Sequence, residues 1–198
     1  VESRGGRGDR AFGPRPRKGG EDRAAGRIGE GGVETEPVGL PGPGRLAHDG
    51  EYLYLELVDA CETAKLQSSA MVFPFDDWEV FVAAQRGLPY RQYAASPAGV
   101  STALSHGEVN FRRNVPMDSH SLRVASDVTA ADRWVTRLSW KLADIIAGGV
   151  KPGGTFYLNA VRVTSPGLRG KTDTTGIAAW VPFTRVHEVT RLAELTLA

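Results

Sequence analysis

The chemistry of this chain concentrates in Phe73-Pro74-Phe75-Asp76-Asp77-Trp78-Glu79-Val80-Phe81-Val82. Phe73, Phe75 and Trp78 offer flat apolar faces, while Asp76, Asp77 and Glu79 offer acceptors for hydroxyl groups or for a hard cation. That mixture suits a sugar better than a phosphate. Asp77 and Glu79 could also pose as the acid and base of a glycosidase. On a strand, residues at i and i+2 point the same way and stand roughly 6–7 Å apart. Their aromatic company fits binding at least as well as hydrolysis. The apolar run from Val80 to Val82 has strand character, so the segment reads as a loop emptying into a buried β-strand with its carboxylates at the entrance.

Other catalytic chemistries lack their residues. There is no G-x-S-x-G, no phosphate-cradling glycine motif ahead of a helix, and no H-E-x-x-H. The histidines are scattered at 48, 106, 120 and 187, and a lone histidine is more often a satisfied residue than a ligand. Met71 or Met117 with His120 could ligate haem iron axially, but no spacing supports it, and haem is the minor alternative. Cys61 is the single cysteine. It excludes an internal disulfide, and no Cys/His cluster has zinc-ligand spacing.

The elements that must hold these residues can be read along the chain. Residues 1–50 carry 14 of the 24 glycines and one aromatic, Phe12, so the first quarter is poor in core material. The stretch 1–32 reads as linker or tail, the Arg7-Gly8-Asp9 tripeptide within it as chance, and the Pro37 to Pro43 stretch as an extended run along the domain edge. The expected division is a flexible leader over 1–44 and one domain over 45–198. Asp49-Gly50 predicts a hairpin into Tyr52-Leu53-Tyr54-Leu55-Glu56-Leu57-Val58, with Leu53, Leu55 and Leu57 on the core face. Turns at Gly87-Leu88-Pro89 and Ser96-Pro97-Ala98-Gly99 predict a meander running from the Glu79 strand through Tyr90–Ala95 to Val100–Leu104. Residues 105–121, with His106, Arg113 and His120, lack an apolar period and read as a long loop of the kind that often carries function.

Leu122–Val128 pairs in this reading with Arg133–Trp140, whose Trp134, Thr136, Leu138 and Trp140 share one face. Leu142–Ala147 would make a helical turn ended by Gly148-Gly149. Thr155–Thr164 and Leu192–Leu197 read as strands, with Trp180 at a rim between them. The fold class expected is all-β, an immunoglobulin-like or jelly-roll-type antiparallel β-sandwich with at most one short helix.

A chain of 198 residues with a formal net charge of +1 generates no global field toward nucleic acid or an anionic membrane. No apolar run approaches the roughly 20 residues that span a bilayer. Neither nucleic-acid binding nor membrane insertion is expected. The chain begins with Val and reads as a piece of a longer polypeptide.

Taken in order, five fragments resemble family 9 carbohydrate-binding modules and the wider group of DOMON-like β-sandwiches. They are Asp49-Gly50-Glu51-Tyr52-Leu53-Tyr54-Leu55, Asp76-Asp77-Trp78-Glu79-Val80-Phe81-Val82, Arg133-Trp134-Val135-Thr136 onward to Leu142, Phe156-Tyr157-Leu158-Asn159-Ala160-Val161-Arg162, and Ala179-Trp180-Val181-Pro182. The resemblance implies a non-catalytic domain that holds a poly- or oligosaccharide between two rings. It assigns the late ring to Trp180, the early ring to Phe73 with Phe75 or Trp78 as substitutes, and hydrogen bonding to Glu79, Asn159 and Arg162. It also implies a structural calcium, with Asp76 or Asp77 among its ligands. An extracellular or cell-envelope setting follows from the same resemblance, as does a covalently linked catalytic domain such as a glycoside hydrolase. The DOMON-like haem domains supply the electron-transfer alternative, and a sandwich that has lost its clamp the structural one. The family's opening tryptophan strand has no counterpart in Arg23–Ile28, where a missing or replaced first strand is expected.

Overall fold

The computed structural model describes residues 25–28, 33–35, 44–73, 75–167 and 176–198, and only the backbone of the first two stretches. Thirteen strands lie among these residues. They are β1 (Ala25–Ile28), β2 (Val33–Thr35), β3 (Gly44–His48), β4 (Tyr52–Asp59), β5 (Asp77–Ala83), β6 (Tyr90–Ala95), β7 (Ser101–His106), β8 (Val115–Pro116), β9 (Arg123–Asp127), β10 (Trp134–Lys141), β11 (Thr155–Val163), β12 (Ile177–Ala179) and β13 (Ala193–Leu197).

Two sheets stack into a sandwich. The larger runs β1-β13-β11-β5-β6-β7-β8 with β12 beside β11, and the smaller runs β2-β3-β4-β10-β9. All pairings are antiparallel except that of β1 with β13, where Ala25 to Ile28 run parallel to Glu194 to Leu197. The fold is therefore the all-β sandwich that the turn spacing predicts, and the Asp49-Gly50 hairpin and the β5-β6-β7 meander fall where expected. The helical turn over Leu142–Ala147 does not form. Ile145 and Ile146 are buried there in a non-helical turn, and the helical turns among the described residues are two short 3-10 turns, Thr63–Lys65 and Val189–Arg191.

Two short strands lie ahead of residue 45. β1 extends the edge of the larger sheet and β2 pairs with β3, Val33 opposite Leu46. A strand is thus present at Ala25–Ile28, paired through its backbone with β13. The Arg7-Gly8-Asp9 tripeptide and the proline stretch lie outside the described residues.

Strand alternation sorts each residue onto one face. Leu53, Leu55 and Leu57 of β4, Trp134, Leu138 and Trp140 of β10, Trp78, Val80 and Val82 of β5, and Phe156, Leu158 and Ala160 of β11 point between the sheets and form the main core. On β5 the alternate residues, Asp77, Glu79, Phe81 and Ala83, face away from the smaller sheet. They are nevertheless buried, because Ala179, Phe183, Val186, Val189 and Leu192 from β12 and the segment after it pack on Phe81, Ala83, Tyr90 and Val161 as a second apolar cluster. The outer face of the larger sheet is therefore a covered layer, and the candidate site is built into it.

Candidate functional site

Registers across β11, β5, β6 and β7 place one polar row on that outer face. Val161 stands opposite Glu79, Glu79 opposite Ala94, Phe81 opposite Gln92, and Gln92 opposite Leu104, while Tyr90 stands opposite His106. Gln92 Nε2 donates to Glu79 Oε2 at 3.0 Å, and His106 Nε2 pairs with Gln92 Oε1 at 3.1 Å. The backbone N–H of Asn114 donates to His106 Nδ1 at 3.4 Å. These partners require a neutral ring with its proton on Nε2, so the donors run in one direction from loop to carboxylate. Burial together with the charges of His187 and Arg113 holds His106 down at about 4. Burial pushes Glu79 up to about 7 against the hydrogen bond from Gln92.

Aromatic rings wall this row. Tyr90 and His106 stack at 4.3 Å between centroids with planes 6° apart, and His187 meets the edge of Phe81 at 5.4 Å. The Tyr90 hydroxyl and His187 Nδ1 share a hydrogen bond of 3.0 Å. From the end of β7 hangs the loop 107–114, closed by the Gly107 N–H on the Arg112 carbonyl at 2.7 Å. Asn110, Phe111 and Asn114 adopt positive φ angles of 48°, 58° and 53° in it. Phe111 is 85% exposed. A bulky side chain held in the left-handed region costs on the order of 1 kcal/mol or more, and no packing offsets it here.

The residues expected to clamp a sugar are placed differently. Trp78 is fully buried in the main core with its Nε1 unpartnered, its ring 6.4 Å from that of Trp134. Trp180 also joins the main core, 8% exposed, instead of standing at a rim. It is drawn in by its backbone N–H, which donates to the Ala160 carbonyl at 3.0 Å. Neither indole is open to a sugar. Phe73 and Phe75 are half-buried on the loop before β5.

Arg162 stands opposite Trp78 and so points inward, where it is 1% exposed. Its Nε donates to Asp59 Oδ2 at 2.7 Å and its Nη2 to Asp76 Oδ1 at 2.8 Å, and its guanidinium lies 4.9 Å from the Trp134 ring. It braces the two sheets from inside. Asn159 holds Val181 by both backbone groups, donating to its carbonyl at 3.0 Å and accepting from its N–H at 2.9 Å. It fixes the cover rather than a hydroxyl. Of the expected sugar contacts, Glu79 alone lies in the polar row. No motif or spacing marks Gln92, Tyr90, His187 or Phe111 in the sequence, whereas His106 and Arg113 lie in the aperiodic stretch 105–121.

The carboxylate pair does not fit calcium. Asp76 accepts from Arg162, from the N–H groups of Gln67 at 2.8 Å and Ser165 at 3.0 Å, and from the Ser165 hydroxyl. Burial opposes ionisation, but these donors together hold its pKa below the ordinary carboxylate value. Its lone pairs are taken. Asp77 is fully buried with both oxygens unpartnered, and burial with the neighbouring charge of Glu79 pushes it up to about 9, so it stands as a neutral acid. Among the described residues no three His, Cys, Asp or Glu side chains gather as metal ligands would. Of the expected haem ligands, Met71 is 67% exposed while Met117 packs on the main core. No helix among the described residues is long and apolar enough to cross a membrane.

Comparison with known proteins agrees with this architecture. No family model matches the chain, and no curated protein matches it. Solved structures do. The chain superposes on a family 9 carbohydrate-binding module from Caldicellulosiruptor kristjanssonii in complex with glucose, with a TM-score of 0.56, 11% identity, and coverage of 87% of this chain and 96% of the other. The same organism's module in complex with cellotriose gives 0.57, 10%, 87% and 93%. A protein of Bacteroides uniformis assigned as carbohydrate-binding gives 0.59, 18%, 79% and 78%. At these identities the likeness is one of fold. The chain has the β-sandwich fold seen in family 9 carbohydrate-binding modules.

Proposed function

We propose that the chain is a non-catalytic carbohydrate-binding domain whose seat lies on the exposed loop 107–114 at the end of β7, which the buried Glu79-Gln92-His106 row supports from below. The observation that carries this reading is Phe111, whose backbone holds a positive φ of 58° and whose ring is 85% exposed, on a loop anchored to the buried polar row through Asn114 and His106. An open ring supplies the apolar platform on which a pyranose face stacks, and the exposed Asn110, Arg112 and Arg113 of the same loop supply donors and acceptors for its hydroxyls. The saccharides held by the structural neighbours, glucose and cellotriose, set the first ligands to try. A binding role suits the carboxylates better than hydrolysis, because Asp77 is neutral and sealed from any substrate. In this reading the domain serves a polysaccharide-degrading or envelope-associated protein outside the cell, and an attached catalytic domain would do the chemistry.

Calorimetric titration with glucose, cellotriose and xylo-oligosaccharides tests the proposal. Phe111→Ala is expected to lower affinity about tenfold, the loss of roughly 1–3 kcal/mol of stacking, with an unchanged thermal midpoint. Absence of heat with every neutral sugar would sink it, and so would a Phe111→Ala variant that binds as tightly as the parent.

A further inference from the structure

The outer face of the smaller sheet is open, and it carries a different chemistry. A shallow depression of about 430 Å³ lies there across β3, β4, β10 and β9. Register sets its residues in two rows. Arg45, Glu56 and Arg137 stand side by side, and one step along the strands Tyr54, Ser139 and Arg123 do the same. Neighbouring strands are roughly 4.8 Å apart and successive rows roughly 6.7 Å apart, so the cationic groups are spaced over the width of a few sugar rings. Within the depression Glu56 stands between two of its three guanidiniums, at 2.7 Å from Arg137 and 3.9 Å from Arg45. Past the second row, Arg123 and Lys141 flank the Tyr52 ring at 5.8 and 5.9 Å. Tyr54 is 42% exposed, and its hydroxyl donates to Asp49 Oδ2 at 2.7 Å, which steadies the ring at the surface.

From this arrangement we propose a second binding surface, for an acidic oligosaccharide built from uronic acid units. A guanidinium recognises a carboxylate with two parallel hydrogen bonds, the steadied tyrosine gives a sugar face something to lie on, and the central Glu56 accepts hydroxyl protons. A ligand carrying both carboxylates and hydroxyls matches all three. A single DNA strand matches less well, since its links carry charge but no free hydroxyl to donate to Glu56. The surface lies on the opposite side of the sandwich from the seat at Phe111 and does not depend on it.

The test uses the full chain with a hexamer of galacturonic acid, with cellohexaose as neutral control and a single-stranded oligonucleotide of equal charge as competitor. The hexauronate is expected to bind with an affinity that falls as salt rises. Combining Arg123→Glu with Arg137→Glu should weaken it tenfold or more. Arg123→Gln, which leaves the Arg137–Glu56 pair intact, should weaken it at least threefold at an unchanged thermal midpoint. Phe111→Ala should leave hexauronate binding alone, which separates this surface from the neutral-sugar seat. Failure of the hexauronate to bind, equal binding by Arg123→Gln and the parent, or preference for the oligonucleotide would each overturn the proposal.

Discussion

Asp77 is where burial and charge conflict most openly. In the folded chain its carboxyl keeps its proton up to about pH 9, because burial and the Glu79 charge outweigh the opposing pull of Arg162, whereas an unfolded aspartate releases it near pH 4. Between those values the native state holds the extra proton, so stability falls as pH rises through that window. Glu79, raised to about 7, adds to the fall over its lower part. His106 acts in the other sense: held at about 4 when folded, it costs stability as pH drops below roughly 6.5. From pH 6.5 to 9 the two carboxyls therefore dominate this layer. The thermal midpoint is expected to decline across that range, and Asp77→Asn, which cannot ionise, should flatten the decline and melt higher than the parent at pH 8. A parent midpoint that is level across this range would contradict the assignment, as would an Asp77→Asn variant with the same slope.

The strands show why some elements are visible in a sequence and others are not. β4 and β10 alternate strictly, the turn into β4 carries Asp49-Gly50, and one face of each strand is turned away from the core, so period two is written into Leu53, Leu55 and Leu57 and into Trp134, Leu138 and Trp140. β5 is buried on both faces, and a strand of that kind loses its alternation. Its sequence therefore tells that it is inside but not which residues face the core, and Trp78 was assigned to the binding surface while it belongs to the main core. β1 and β2, Ala25–Ile28 and Val33–Thr35, are too short and too weakly patterned to be read as strands, and it is their pairing with β13 and β3 that defines them. The long connection to β12 hid its role for another reason: Trp180 is a core residue only because Gly44 of β3 makes room for it. A Cβ built on Gly44 would come within 2.4 Å of Trp180 Cζ2. Gly44→Ala is accordingly expected to cost about 1–3 kcal/mol through displacement of the indole, read as a lower urea midpoint. Unchanged stability would mean that β3 and the indole are free to move apart.

Across the whole molecule, two buried devices tie the sheets together. Arg162 of β11 in the larger sheet reaches Asp59 at the end of β4 in the smaller one, and Trp180, joined by its N–H to Ala160 of the larger sheet, lies against Gly44 of the smaller. The family resemblance marks both as sugar contacts, since a carbohydrate site and a sandwich seam draw on the same residue types, an aromatic ring and an arginine beside carboxylates. Exposure separates the two roles, and sequence does not carry it. The Trp180 reading has a direct consequence. If the indole is part of the seam, Trp180→Ala removes a large buried ring from the core and should cost roughly 3–5 kcal/mol, about half of the stability typical of a domain this size. At temperatures where the variant remains folded, its affinity for cellotriose should match that of the parent, because Phe111 and the Glu79 row stand on the other face of the larger sheet. Calorimetric melting and a cellotriose titration on this one variant decide the matter: an unchanged melting temperature with lost binding would return Trp180 to the ligand and remove it from the seam.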